Sequence, residues 1–383
     1  MFQLCVSQQP NTVPFTFRGT GLRVYSLEEA LYHVFHHWRE SVEDLLSREM
    51  IAWATELGLV WVASRMKTIA QAEPFATRML DFLQLVEYFT PQELDGLRHD
   101  LAAWERRLEW ERLKERADML VERGDPFKAL PLYKRALALE ENIPLLNNIA
   151  VAYMQLSLAK KAAAHLMRAR AMAPDNLELM LHYTEAAILS KQFDAAAEAL
   201  KAAETRAPAL ADIPFLHGLL AYKQADYHQA VTCYQEAIAR APDTPYYVYK
   251  LADTYKKMQD YKQALHVLAT LPNKDGDYYV KEAEIHAAAG DVPASLRCMR
   301  TATAGEGAHS ANLWAKLAEY YRHDYDWRRA EKAIAQAQAL DPDNDEVRLE
   351  SARVKKGLGQ TRAYQAALAG MLNSFKRRYR ADE

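Results

Sequence analysis

The chain has 383 residues, of which 50% are hydrophobic and 26% are charged. Its 48 basic and 51 acidic side chains leave a formal net charge of −3, which argues against a general nucleic-acid binder, because such proteins carry a concentrated basic surplus. The same composition excludes a chain that is disordered throughout. Glycine and proline number only 13 and 15, and this scarcity of helix breakers favours a helical protein.

Three cysteines, Cys5, Cys233 and Cys298, are far apart and odd in number. They match neither a disulfide framework nor a zinc-ligand pattern, so we expect a reducing compartment. No apolar run approaches the length of about 18 residues that a membrane span needs, and the first residues lack the basic and apolar segments of a secretion signal. We therefore expect a cytoplasmic protein with no membrane partner.

The first 25 residues alternate apolar and polar side chains, with turn residues at 10–11 and 19–21 between the runs. The apolar members are Phe2, Leu4, Val6, Phe15, Phe17, Leu22 and Val24. This period of two predicts two or three short strands.

Helical patterns begin at Ser26, which forms a capping box with Glu29. Further helices are predicted at about 48–57, 59–71 and 75–89. The run from Thr90 to Glu93 is another helix start, and it predicts one charged helix that continues to about residue 123, with Leu108 among its apolar positions. Residues 1–109 are therefore predicted to form a small helical domain with a hairpin-like start.

Residues 110–344 repeat with a period of 34, which is the spacing between Pro174, Pro208 and Pro242. Small and large residues recur before each proline, as in Ala230, Tyr234 and Ala237 of the unit that ends at Pro242. Seven units are predicted, at about 110–143, 143–176, 177–210, 211–244, 245–275, 276–308 and 311–344.

This pattern resembles the tetratricopeptide repeat, which implies a mainly all-α, right-handed solenoid of about seven helix-turn-helix repeats. Departures from the pattern occur at Glu141, Pro272 and Ser295. A single helical pair cannot bury its apolar face alone, so the units must stack. Residues 345–383 are predicted to form capping helices, in which Ala352 continues the pattern, and a basic tail.

Catalytic and cofactor-binding signatures are missing from the sequence, so we expect a non-enzyme without a cofactor. His33, His36 and His37 resemble a metal-ligand cluster, but the neighbouring Phe35 and Trp38 favour a packing role. Cys233 and Cys298 lie on second helices, where a small apolar side chain packs.

The resemblance implies that the first helix of each repeat lines a concave groove that binds a protein or peptide. The residues placed there are Phe215, Leu219, Tyr222, Lys223, Tyr246, Tyr249, Lys250, Asp253, Lys256, Lys316, Glu319, Arg322 and His323. Aromatic side chains beside cations suit a peptide with apolar and carboxylate groups. An equally open alternative is that several of the tyrosines pack between repeats.

Some proteins of this family hold the C-terminal carboxylate of heat-shock chaperones with a set of Lys, Asn and Arg residues. The equivalent residues here are Lys114, Asp118, Asn148, Glu178 and His182, of which two match. Because Asp118 and Glu178 would repel a carboxylate, we expect that this chain does not act as such a co-chaperone.

The leading hypothesis is a scaffold or adaptor that binds a partner in the groove. The alternative is a peptide-responsive bacterial regulator, in which a peptide bound to the solenoid repositions the N-terminal domain. The strand-like start and the lack of a helix-turn-helix in residues 26–70 weigh against the regulator. An enzyme within residues 1–109 is a third and weaker hypothesis.

Overall fold

The computed structural model describes residues 13–86, 88–342 and 344–380, with side chains except at Glu306 and residues 372–380. The chain divides into two compact units, residues 1–156 and 157–383. The division falls within the second predicted repeat, whereas the sequence suggests a domain boundary at residue 109. Among the described residues, none of the helices is both long and apolar enough to cross a bilayer.

The first unit begins with an antiparallel pair of short strands, β1 (Phe15–Thr16) and β2 (Arg23–Val24), in which Phe15 pairs with Val24. This part of the strand prediction is confirmed, whereas Phe2, Leu4 and Val6 lie outside the described residues. The helices that follow are α1 (Leu27–His36), α2 (Trp38–Ser41), α3 (Arg48–Glu56), α4 (Val60–Ile69), α5 (Phe75–Leu83) and α6 (Pro91–Glu105). The capping box expected at Thr90 forms, since its hydroxyl accepts from the backbone N–H of Glu93 and its own N–H donates to the Glu93 carboxylate. At Ser26 only half of the expected box forms, because the hydroxyl accepts from the backbone N–H of Glu29 while the Glu29 carboxylate accepts from the backbone N–H of Tyr25.

Residues 15–104 share one hydrophobic core, to which the strands and α1–α6 all contribute. Trp38 and Trp104 meet edge to face within it, with their ring centroids 5.4 Å apart. Phe15 packs on Trp53, whose indole N–H donates to the carbonyl of Val13. The N-terminal segment therefore has a core of its own.

Two helix predictions in this segment are wrong. The predicted helix 75–89 ends at Leu83. The predicted helix from 90 to 123 is two helices, because the chain leaves α6 after Glu105 and begins α7 (Glu109–Glu122) after Leu108. The backbone N–H of Leu108 donates to the carboxylate of Glu111, and the Leu108 side chain is 62% exposed rather than packed.

Paired helices form the rest of the chain, which confirms the mainly all-α prediction. In the first unit, α7 is followed by α8 (Pro126–Leu139) and α9 (Ile143–Gln155). The second unit contains α10 (Ala159–Met172), α11 (Leu177–Leu189), α12 (Phe193–Arg206), α13 (Asp212–Lys223), α14 (Tyr227–Arg240), α15 (Pro245–Lys257), α16 (Tyr261–Leu268), α17 (Gly276–Ala288), α18 (Val292–Ala302), α19 (Ala311–His323), α20 (Trp327–Leu340), α21 (Asp345–Gly357) and α22 (Thr361–Arg380).

Each helix of the second unit packs on the next, and first helices of neighbouring repeats also touch, as α15 does with α17 and α19 with α21. Small buried residues such as Ala230 and Ala264 allow this close approach. The early proline of the fifth repeat, Pro272, follows a second helix of only eight residues. Ala352 is buried, as predicted, and α21 with α22 forms a further helical pair.

The turn within each repeat uses the same backbone conformation. Lys191, Ala225, Gln259 and Tyr325 all have φ between 60° and 65°, and the sixth repeat has Gly290 at 82°. A left-handed residue after the last helical turn ends the first helix and reverses the chain. The 34-residue period is therefore a period of backbone geometry as well as of side chains.

Candidate functional site

The first helices of the fifth to seventh repeats carry charged residues three positions apart, which lie on one face of a helix. These are Lys250, Asp253 and Lys256 on α15, Lys281 and Glu284 on α17, and Lys316, Glu319 and Arg322 on α19. We call the surface formed by these residues, together with Glu185 of α11 and Tyr222, Lys223 and Tyr246, the first-helix face.

Five of these side chains form a continuous ladder of ion pairs across three helices. Lys256 lies 2.9 Å from Asp253 and 3.1 Å from Glu284. Lys281 lies 3.0 Å from Asp253 and 3.2 Å from Glu284, and Lys316 extends the ladder at 3.6 Å from Glu284. The ladder therefore links each of these repeats to the next.

The charges of the ladder are paired with one another inside the protein. Burial alone would raise the pKa of Asp253, but Lys281 and Lys256 outweigh burial and lower it. Glu284 responds in the same way to Lys281, Lys256 and Lys316, so its pKa is also lowered. Asp253 and Lys256, which we predicted as groove residues, are thus already engaged with partners inside the protein.

Arg322 is engaged as well, with a carboxylate that is nearly inaccessible to water. Its Nε donates to Glu350 of α21 at 2.5 Å, and the Glu350 side chain is only 5% exposed. Arg353 adds a second contact to Glu350 at 3.2 Å, and Glu319 lies 3.6 Å from Arg322. This arrangement ties the seventh repeat to the terminal helical pair.

Lys250 differs from the cations of the ladder and from Arg322. Among the described residues no carboxylate lies within 4.0 Å of its ammonium group, which instead sits 4.9 Å from the ring centroid of Tyr246. Burial lowers the pKa of Lys250 although Asp253 and Glu185 attract its charge. Burial likewise raises the pKa of Glu185. Lys250 is therefore a half-buried cation that lies over an aromatic ring and has no ion-pair partner within 4.0 Å among the described residues.

Two of the predicted groove residues are not accessible, so their assignment to the groove surface is wrong. Phe215 and Leu219 are 4% and 3% exposed. Phe215 stacks on Tyr247 at 4.8 Å and lies 5.6 Å from Tyr234, because α13, α14 and α15 meet around it. Tyr249 is half-buried in the core shared by α15, α16 and α17.

Four of the predicted groove residues are at least partly accessible on the first-helix face, two on α13 and two on α15. Tyr246 is 44% exposed, Lys223 is exposed, and Tyr222 and Lys250 are half-buried. Of the residues on α19, Lys316 and Glu319 are half-buried and His323 is exposed. The sequence reasoning missed Lys281, Glu284, Glu185 and Glu350. Their spacing of three from other charged residues was a usable signal for Lys281 and Glu284.

In the first unit, three of the residues compared with the chaperone-binding set contact one another. Lys114 lies 2.7 Å from Asp118, and Asn148 donates to the same carboxylate at 2.7 Å. Tyr133 donates its hydroxyl to Asp118 as well, at 2.6 Å. The two matching residues, Lys114 and Asn148, therefore bind an internal carboxylate.

His33, the first of the three clustered histidines, is buried against the core of residues 15–104. Its ring packs 4.2 Å from that of Phe17 and 4.9 Å from that of His37, and its Nε2 lies 3.0 Å from the Thr20 hydroxyl. Burial, followed by the charges of His37 and Arg123, lowers the pKa of His33 to about 4.

We expect His33 to make the first unit less stable in acid. The unfolded chain binds a proton near pH 6.5 and the folded chain only near pH 4, so stability falls as the pH drops between these values. From pH 7 to pH 5 the loss is about 2 kcal/mol. Urea unfolding at both pH values should show this loss in the wild type and a smaller one in His33→Leu. An equal loss in both proteins would contradict the assignment.

Comparison with known proteins agrees with the repeat architecture. Residues 221–290 match the family model described as tetratricopeptide repeat. Among curated proteins, the BBSome complex member BBS4 of Bos taurus is 29% identical over 165 residues, which cover 41% of this chain and 31% of that protein. This chain thus matches about a third of the length of that relative.

Solved structures with similar helical arrangements have low sequence identity. A tetratricopeptide repeat protein from Parabacteroides merdae is 16% identical with a TM-score of 0.43, and the match covers 64% of this chain and 98% of that one. MamA from Desulfovibrio magneticus is 19% identical with a TM-score of 0.35, and the match covers 42% and 92% of the two chains. The segment that matches the tetratricopeptide repeat model, 221–290, spans α14 to α17 and contains most of the ion-pair ladder.

Proposed function

We propose that this chain is a non-catalytic scaffold that binds a partner protein, and that an acidic segment of the partner lies on the first-helix face at Lys250. The observation that carries the proposal is the half-buried ammonium group of Lys250, which lacks a carboxylate within 4.0 Å among the described residues. The relative named as a BBSome complex member supports a role in protein assembly.

The neighbours of Lys250 define the chemistry of the bound segment. Tyr246 offers aromatic surface in contact with Lys250, Tyr222 adds a second half-buried ring on the same face, and Lys223 adds an exposed positive charge. A carboxylate from the partner would give Lys250 a charge-assisted hydrogen bond, which is stronger than a neutral one. An apolar side chain next to that carboxylate would cover Tyr246. The proposed ligand is therefore a peptide segment with an acidic residue beside an apolar one.

We expect Lys250→Glu to weaken partner binding at least tenfold, because it places a negative charge against an acidic segment. The matched control is Lys257→Glu, which makes the same charge change at an exposed position of the same helix. Quantitative pull-downs from native lysate, read by mass spectrometry, should show a partner lost with Lys250→Glu and retained with Lys257→Glu.

Photocrosslinking identifies the bound segment directly. A benzoylphenylalanine at Tyr246 should crosslink to a partner peptide that contains Asp or Glu next to the attachment point.

In the pull-downs, equal recovery of all partners with Lys250→Glu and Lys257→Glu would contradict the placement of the binding surface at Lys250. A melting temperature raised by short free peptides would instead favour a peptide-responsive regulator.

A further inference from the structure

Three side chains of different chemistry converge between the two helices of the sixth repeat. Glu282 and His286 are four residues apart on α17, which places them on one face one turn apart. Cys298 reaches them from α18, and its thiol donates to the carboxylate of Glu282 at 3.2 Å. One donor atom from each of the three lies within 4.8 Å of the others.

The donor set points to a borderline metal ion. Thiolate and imidazole ligands favour Zn²⁺ and its transition-metal neighbours, whereas Mg²⁺ and Ca²⁺ take oxygen ligands. Bonds of about 2.0 to 2.3 Å in a tetrahedron place neighbouring ligand atoms about 3.6 Å apart, so side-chain rotations that bring the donors closer by roughly 1 Å would close the site. All three residues are half-buried, which leaves a fourth position open to water.

We propose that Glu282, His286 and Cys298 bind one Zn²⁺-class ion with three protein ligands and a water molecule. The ion takes the place of the thiol proton that Cys298 now shares with Glu282. Cys298 then binds as a thiolate, His286 through a neutral ring nitrogen and Glu282 through a carboxylate oxygen. The thiol proton is released to solvent, so the only exchange is metal ion for proton.

The fourth repeat contains an internal comparison. Cys233 occupies the position equivalent to Cys298, 65 residues earlier, on α14. The positions equivalent to Glu282 and His286 are His217 and Ala221. Nε2 of His217 lies 3.5 Å from Glu204 of the preceding helix, α12. The fourth repeat thus has a cysteine at the same position without the Glu and His pair, and Cys233 is replaced in the test below so that Cys298 alone reports the thiolate.

Cobalt provides the test, because Co²⁺ bound to a thiolate has a charge-transfer band that Co²⁺ bound only to nitrogen and oxygen lacks. The full-length chain carrying Cys5→Ser and Cys233→Ser keeps Cys298 as its single cysteine. We expect this protein to bind one Co²⁺ with a thiolate band and tetrahedral visible bands, and excess Zn²⁺ to displace the Co²⁺ and remove both.

Single substitutions in that background assign the ligands. Cys298→Ser should abolish the charge-transfer band, and His286→Gln and Glu282→Gln should each weaken Zn²⁺ binding by at least about tenfold. Circular dichroism and the metal-free melting temperature check that each variant folds. If Cys298→Ser does not fold, the loss of Zn²⁺ affinity in His286→Gln tests the same site, because that substitution leaves the Cys298 thiol in place.

Two results would overturn the proposal. One is the absence of a thiolate band at saturating Co²⁺ in the protein that keeps Cys298. The other is unchanged Zn²⁺ affinity in both His286→Gln and Glu282→Gln, which would place any bound metal elsewhere. Lys250→Glu should bind Zn²⁺ as the wild type does, so the outcome is independent of partner binding.

Discussion

Replacing Tyr234 with alanine is expected to lower the free energy of unfolding by about 3–5 kcal/mol, the range typical for removing a buried aromatic ring. Tyr234 is fully buried between the helices of the fourth repeat, where its ring lies 5.6 Å from that of Phe215. A methyl group on Gly218 would come within 2.7 Å of the same ring, so α13 and α14 fit tightly around it. Chemical denaturation followed by circular dichroism measures the loss.

Tyr234→Phe separates the ring from its hydroxyl. Within the described structure the buried hydroxyl of Tyr234 has no hydrogen-bond partner, and a buried polar group in that state costs free energy. We therefore expect Tyr234→Phe to be as stable as the wild type or more stable. A large loss with Tyr234→Phe would mean that the hydroxyl has a partner, and a small loss with Tyr234→Ala would contradict the packing described for this repeat.

The second large effect is expected at Arg322, where Arg322→Met should cost about 3 kcal/mol. The substitution keeps the apolar stem but leaves Glu350, whose side chain is 5% exposed, with Arg353 alone. Removing one partner of a buried ion pair is costly, because the other charge stays in a poorly solvated position. The midpoint of urea unfolding is the appropriate measurement.

Lys316→Met is the control, since Lys316 is 42% exposed and lies 3.6 Å from Glu284, and exposed pairs contribute little. A double variant, Arg322→Met with Glu350→Met, should recover much of the lost stability, because no unpaired charge remains buried. If the double variant is less stable than Arg322→Met, Glu350 stabilises the protein even without Arg322, and the loss in Arg322→Met does not come from an unpaired carboxylate. Arg322 is for this reason a poor site for testing partner binding.

The repeats could be predicted from the sequence because their packing is local and periodic. Ala230, Tyr234 and Ala237 mark one helix, and the same types recur 34 residues away with the same environment. The break between α6 and α7 was missed because no glycine or proline stands at residues 106–108. At this break the backbone N–H of Leu108 donates to the carboxylate of Glu111, and no simple sequence pattern indicates this hydrogen bond.

The candidate site was harder to predict because its properties arise between helices. The sequence shows that Lys256 and Arg322 lie on first helices, but their partners Glu284 and Glu350 are each 28 residues further along the chain. Whether such side chains meet depends on the distance between helices, which no single helix specifies. Phe215 illustrates the converse, since its helical position suggested exposure while three helices enclose it.

The ion-pair ladder has a consequence for how a ligand could bind beside Lys250. A charged group entering the ladder itself must first release one of the existing partners, as a carboxylate displacing Glu284 from Lys281 would. Such binding is an exchange of one ion pair for another, so its affinity depends little on ionic strength. A carboxylate arriving at Lys250 exchanges with no internal partner, and its affinity falls as salt rises. Salt dependence can therefore distinguish the two ends of the same surface.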